Sequence, residues 1–205
     1  RSGTPEAFRM LVRGETVIRR RLDPVMAATW PAVAEVLPHD GFFLVGSAGE
    51  SKDVDVHDIE SWRSLRIGLF DPVISSEVTA REGEEGWKRR VQAFERSLHQ
   101  SARLRRLESE PLPDSLEITT IMGDCVPTVR RVLMRPDRSF VFYRHELKDA
   151  EKHLTITLFE PGDGTVGSSS AAPHPGEEHV PLCSGHQGLS MDPASQRAIL
   201  RALLQ

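Results

Sequence analysis

The sequence predicts a mixed α/β chain in which a mostly helical half is followed by a strand-rich half and a closing helix. Three observations carry that expectation. From Glu84 to Glu108 apolar residues (Trp87, Val91, Phe94, Leu98, Ala102) recur at three- and four-residue steps, while Lys88, Arg89, Glu95 and Arg96 fall opposite, which is the pattern of a packed amphipathic helix. Past Pro111 and Pro113 the pattern turns to short β-branched runs bounded by turn residues, beginning with Leu116 to Met122. Near the end, Asp192 as N-cap and Pro193 at the first helical position open a helix with Ile199, Ala202 and Leu203 on one face.

The remaining elements follow in chain order. Pro5 to Arg21 carries Phe8, Leu11, Val12 and Ile18 at helical spacing, interrupted by Gly14, and predicts a short amphipathic helix. Asp23-Pro24 restarts the chain, and Met26, Trp30, Val33, Val36 and Leu37 keep a helical period up to Pro38. Phe42 to Val45 predicts a short strand, and Gly46 to Asp58 is polar and loop-like. Ile59, Trp62, Leu65, Leu69 and Phe70 predict a helix closed at Asp71-Pro72. Val129 to Met134 and Ser139 to Tyr143 flank Pro136-Asp137-Arg138 as a hairpin, and Leu154 to Phe159 reads as another strand, running into Pro161-Gly162-Asp163-Gly164. A Ser, Ala and Pro-rich loop leads to His179–Cys183, a last strand before Ser184-Gly185-His186.

Composition narrows the function classes. The 205 residues are 39% hydrophobic and 27% charged, ordinary for a globular domain, and the formal net charge of -4 argues against a nucleic-acid binder. The arginines at 19 to 21 and 103 to 106 are local exceptions, with solvated helix surface as their ordinary role and a phospholipid headgroup as the alternative. No apolar run approaches the roughly 20 residues that span a bilayer. Two cysteines, Cys125 and Cys183, are too few for a disulfide scaffold and match no zinc spacing, so no metal site is expected. The compartment stays open, with the cytoplasm slightly favoured.

Chemistry concentrates in the second half. A strand, a tight Gly-Asp-Gly turn, a further strand, then Gly-His-x-Gly and a helix is the order of the last two members of an α/β-hydrolase triad, in which Ser, acid and His follow one another along the chain. The acid orients the imidazole and stabilises its charged form, and the histidine takes the nucleophile's proton and returns it. Asp163 and His186 are the candidates, with Asp124, which also follows a buried strand, as the alternative acid. Such chemistry needs no cofactor.

These residues resemble a known family. Pro161 to Val166 (PGDGTV) followed by Ser168 to Ala171 resembles the acid loop of the lecithin:cholesterol acyltransferase and phospholipid:diacylglycerol acyltransferase family, and Ser184-Gly185-His186 is similar to its histidine loop. Ile118 to Thr128 is similar to the family strand that ends in Gly, a variable pair and Pro-Thr. Gly3-Thr4-Pro5-Glu6-Ala7-Phe8 resembles the end of the strand after the nucleophile helix, and Trp30-Pro31-Ala32-Val33 through Leu37-Pro38 a cap segment of bacterial members.

The resemblance implies the carboxyl-terminal half of an α/β-hydrolase fold with a mostly helical cap. Residues 1–23 would end a core strand and begin the next helix, 24–110 form the cap or lid, and 111–205 carry the acid and histidine loops. It implies an ester hydrolase or acyltransferase acting on lipid or another ester, with Trp62, Phe70 and Trp87 of the cap as candidate acyl-site residues against their ordinary role in core packing. The family's GxSxG elbow is missing: Gly46-Ser47-Ala48-Gly49 has the wrong spacing, and Cys183 reads as a buried strand residue. The serine and oxyanion hole would then come from an upstream polypeptide. A non-catalytic interaction or effector module on a partial hydrolase scaffold is the alternative.

Overall fold

The computed structural model describes residues 3–17, 20–38, 43–108, 110, 113, 117–172 and 178–204. Predicted features at Ile18, Arg19, Phe42, Pro111 and Leu116 lie outside them. The fold is mixed α/β, with its strands in several small sheets.

Three Asp-Pro steps each start a helix. Asp23 caps α2 (Pro24–Ala28) by accepting from the Met26 N–H, and Asp192 caps α7 (Pro193–Leu203) from Ala194. At Asp71-Pro72 the expected stop is instead a start: Asp71 Oδ1 accepts from the N–H groups of Val73 and Ile74, opening the run α5 (Pro72–Glu108) twelve residues before the predicted Glu84. The run is broken at Gly83, whose φ of 73° is non-helical and readily adopted by glycine.

The first predicted helix is shorter than expected. α1 (Pro5–Arg13) is capped by Thr4 and stops at Gly14, where φ is 75°, and the chain continues as a hairpin of β1 (Glu15–Val17) and β2 (Arg20–Leu22). After α2, Pro31 opens a separate helix α3 (Pro31–Glu35). β3 (Phe43–Val45) turns through Gly46 to Gly49 into β4 (Ser51–Asp53), a strand inside the expected loop. α4 (Ile59–Leu65) ends at left-handed Arg66, and a 3-10 turn at Gly68–Phe70 follows.

In the second half, β5 (Thr119–Gly123) and β6 (Val126–Val129) precede the expected hairpin, which forms as β7 (Val132–Met134) and β8 (Phe140–Val141). The strand expected at Leu154 to Phe159 is mostly helical: a 3-10 segment, Asp149–Leu154, leads into α6 (Thr155–Leu158), and only Phe159 starts β9 (Phe159–Gly162). Leu154 and Leu158 are buried, whereas Ile156 is 90% exposed. An i, i+4 pair on one face is helical, while period two would have buried Ile156 with them. β9 pairs antiparallel with β6, and β10 (Glu178–Leu182) pairs parallel with β5, in register from Thr119↔Glu178 to Gly123↔Leu182. β3 bridges to β7, giving the order β4-β3-β7-β8.

One main apolar cluster takes residues from all three predicted segments. It joins Phe8 and Leu11 of α1 to Trp62 of α4, Phe94 and Leu98 of α5, and Phe140 and Phe142 beyond them. Polar ties reinforce the same junction. Arg13 donates to Glu146 Oε1 at 2.6 Å and to the Phe140 carbonyl, while Glu146 Oε2 accepts from the N–H groups of Phe142 and Tyr143. Beside it Arg135 holds Glu151 through two hydrogen bonds of 2.7 Å, with both side chains largely buried.

That ion pair makes a prediction for acid stability. Hydrogen bonding to Arg135 outweighs burial and, with the Lys148 N–H, holds the Glu151 carboxyl down at about 2 against an ordinary 4.5. A depressed carboxylate stabilises the fold above its unfolded value and loses that contribution as pH falls toward the folded one. Stability should therefore decline between pH 4.5 and 2, and Glu151→Gln should flatten the dependence of the urea midpoint across that window. An unchanged slope in the variant would refute the assignment of this pair.

Candidate active site

Asp163 is placed by the end of β9 and by its own turn. Its Oδ1 accepts from the backbone N–H groups of Thr165 at 2.8 Å and Val166 at 2.7 Å, closing a local turn that the following Gly164, at φ 91°, permits. Thr128 of β6 is fully buried: its hydroxyl donates to the Val126 carbonyl and accepts from the Gly164 N–H at 2.8 Å. Thr4 donates to the Thr165 carbonyl and Ser170 to the Gly3 carbonyl, so the start of the chain lies against the acid loop. Ser169 donates to Glu160, so Ser169 and Ser170 are engaged in shaping the loop.

His186 reaches Asp163 twice. Its backbone N–H donates to the Asp163 carbonyl at 2.8 Å, and its Nδ1 lies 2.7 Å from Asp163 Oδ2. Asp163 is only 6% exposed. Burial alone would raise its carboxyl, but the Val166 N–H, the His186 ring and the Thr165 N–H together hold it below the ordinary carboxylate range. An ionised carboxylate only accepts, so the proton of this bond sits on Nδ1, and in the neutral imidazole that leaves the lone pair on Nε2. The His186 side chain is 52% exposed, and among the described residues no hydrogen bond engages Nε2.

The close approach depends on a glycine. A Cβ on Gly123, at the end of β5, would sit 2.5 Å from the Asp163 Cβ and 2.7 Å from the Ser184 carbonyl oxygen. Only a residue without a side chain lets the acid and histidine loops meet over the strand end.

Other predicted residues are placed differently. Asp124 is exposed, its backbone N–H donates to Leu182, and the carboxylate that meets His186 belongs to Asp163. Cys183 is neither buried nor free: it is exposed and disulfide-bonded to Cys125. The parallel pairing explains this, because it sets the residues just beyond β5 and β10 side by side, whereas a separation of 58 residues gave the sequence no signal. Thr128 and Gly123 were visible only as part of the strand resemblance, without roles.

Trp62 belongs to the core. It is 1% exposed, donates to the Val56 carbonyl and packs on Phe8 and Phe94, leaving no face for a ligand. Phe70 and Trp87 meet edge to face at 5.9 Å and line an open groove of about 520 Å³ with Ser75 and Thr79. None of the residues lining that groove belongs to the acid or histidine loop. A cleft of about 440 Å³ does border the acid loop, lined by Gly3, Thr4, Val36, Ile118, Val166 and Ala171 among others.

Among the described residues no group of three or more His, Cys, Asp or Glu side chains converges as a metal site, and no helix is long and apolar enough to cross a membrane. Comparison with protein-family models and with curated proteins gives no match.

Proposed function

We propose that this chain supplies the acid and the general base of a Ser-Asp-His ester hydrolase or O-acyltransferase. On this reading the fold is the carboxyl-terminal half of an α/β-hydrolase with a helical cap, similar to the lecithin:cholesterol acyltransferase family. The observation that carries it is the buried, ionised Asp163 bonded to His186 Nδ1, with Nε2 open. In that state the imidazole is set to accept a hydroxyl proton and return it to the leaving group, while Asp163 stabilises the charged ring in between. The serine and the oxyanion donors come from a further polypeptide segment, since no GxSxG elbow occurs in these residues. The substrate is a lipid or another ester.

The test uses the polypeptide together with its nucleophile-bearing segment. A fluorophosphonate probe should label the wild type, and His186→Ala should lose labelling and ester turnover while its circular dichroism is unchanged. Folded protein that resists the probe, or full activity in His186→Ala, would overturn the proposal. A non-catalytic interaction module is favoured by one observation: α7 exposes Ile199, Leu200 and Leu203, and Leu204 just past its end is exposed too, a surface of the kind that packs on a partner. Resistance to the probe would leave that reading in place.

A further inference from the structure

We propose that the Cys125–Cys183 disulfide is a positioning device for His186, and that its reduction releases the histidine loop, making the Asp163–His186 pair redox-sensitive. The bridge ties the two parallel strands together just past their ends. β5 stops at Gly123, two residues before Cys125, and β10 stops at Leu182, one residue before Cys183. His186 follows three residues later.

The need for a covalent tie lies in β10 itself. Glu178, His179 and Pro181 are exposed, Val180 and Leu182 only half-buried, and none of them belongs to either apolar cluster. Among the described residues β10 is paired on one side, with β5, and the two make a sheet of their own. Of the ten residues in the pair only Met122 and Gly123 are buried, with α7 packed against both strands, and a two-stranded sheet so thinly covered is marginal in water. Beyond its end the loop is held by its own turns, Ser184 N–H to the Leu182 carbonyl, Gly188 N–H to that of Gly185 and Leu189 N–H to that of His186, and its ties outward are the two bonds of His186 to Asp163. Asp163, by contrast, is fixed by the β6–β9 ladder, by buried Thr128 and by its own turn. The acid is therefore anchored by a ladder and a buried threonine, whereas the histidine follows a strand that is held by β5 and α7 but lies outside both apolar clusters, and the bridge adds a covalent anchor at its end.

Both cysteines are exposed, so the bond is open to attack by a thiolate. A dithiol reductant gives up two electrons and two protons and becomes a disulfide, while the Sγ–Sγ bond of Cys125 and Cys183 breaks to give two thiols. Neither cysteine belongs to either apolar cluster, so the change stays local to the end of the β5–β10 ladder and residues 183–188.

The consequence for activity rests on the reading of Asp163 and His186 as catalytic, but the positioning itself is measured without turnover. In the complete polypeptide, labelled with nitrogen-15, amide exchange of His186 and the low-field resonance of its Nδ1 proton are followed before and after dithiothreitol and again after reoxidation. Reduction should speed His186 amide exchange about tenfold or more and remove the low-field resonance, with Phe94 and Leu133 amides unmoved and the original spectrum restored on reoxidation. The double variant Cys125→Ser/Cys183→Ser should match the reduced form. An unchanged His186 with both thiols free by titration would overturn the inference, and so would collapse of the Phe94 and Leu133 signals, which would make the bridge a global staple. Absence of the low-field resonance in the oxidised chain would overturn the acid–histidine pair itself. A normal resonance with no probe labelling would instead count only against the catalytic reading.

Discussion

Asp163→Asn, in the polypeptide joined to its nucleophile-bearing segment, is expected to lower kcat/KM by about 10⁴-fold with the fold intact. The geometry explains why so small a change costs so much. Asp163 Oδ1 accepts from the Thr165 and Val166 N–H groups, so the asparagine carbonyl oxygen must take that place and the amide nitrogen must face His186. An amide nitrogen donates, so Nδ1 has to accept and the ring proton moves to Nε2. The base then has no lone pair for the nucleophile. A loss of 10⁴ is about 5.4 kcal/mol of barrier, far more than a surface hydrogen bond contributes. Steady-state ester hydrolysis measures it, and a variant within tenfold of wild type would dismiss Asp163 as the orienting acid. Asp124→Asn serves as the comparison and should change little, because Asp124 is exposed and the carboxylate bonded to His186 is that of Asp163.

What made Asp163 and His186 legible in the sequence is that their signals are local. A Gly-Asp-Gly turn, a Gly-His step and a capped helix each act within a few residues, and turn chemistry of that kind survives burial in a fold. The hairpin at Pro136-Asp137-Arg138 and the α7 cap were legible for the same reason. Pairings between distant segments were not. The β5–β10 ladder, and the disulfide that follows from it, join residues some 58 apart with nothing in either segment to name the other. Errors of type came where two periods fit one run, as at Leu154 to Phe159, and where one signal has two meanings. Asp71-Pro72 closes one element and opens the next, and only the hydrogen bonds of Asp71 to Val73 and Ile74 show which role its side chain takes.

Trp62 tests whether the aromatic residues of the first half serve a ligand or the core. Its ring lies 5.3 Å from Phe8 and stands edge-on to Phe94 at 5.2 Å, linking α1, α4 and α5, and its Nε1–H donates to the Val56 carbonyl at 2.8 Å. Gly68, at φ 58°, approaches the same ring so closely that a Cβ there would fall 3.2 Å from Trp62 Cε3. Truncating a side chain so enclosed leaves a cavity that its neighbours cannot fill and an unpaired carbonyl at Val56. Trp62→Ala should therefore cost about 3 to 5 kcal/mol of stability, read as a lowered urea midpoint. Trp62→Phe should recover part of that loss, with the Val56 carbonyl still unpaired at about 1 to 3 kcal/mol. Trp87→Ala makes the contrast: Trp87 is half-buried beside an open groove, and its loss should cost clearly less. If Trp62 served an acyl site, its variant would raise KM selectively for long-chain esters at unchanged stability. Placement in the core predicts the reverse, a lower folded fraction with the KM of the remaining folded enzyme unaltered.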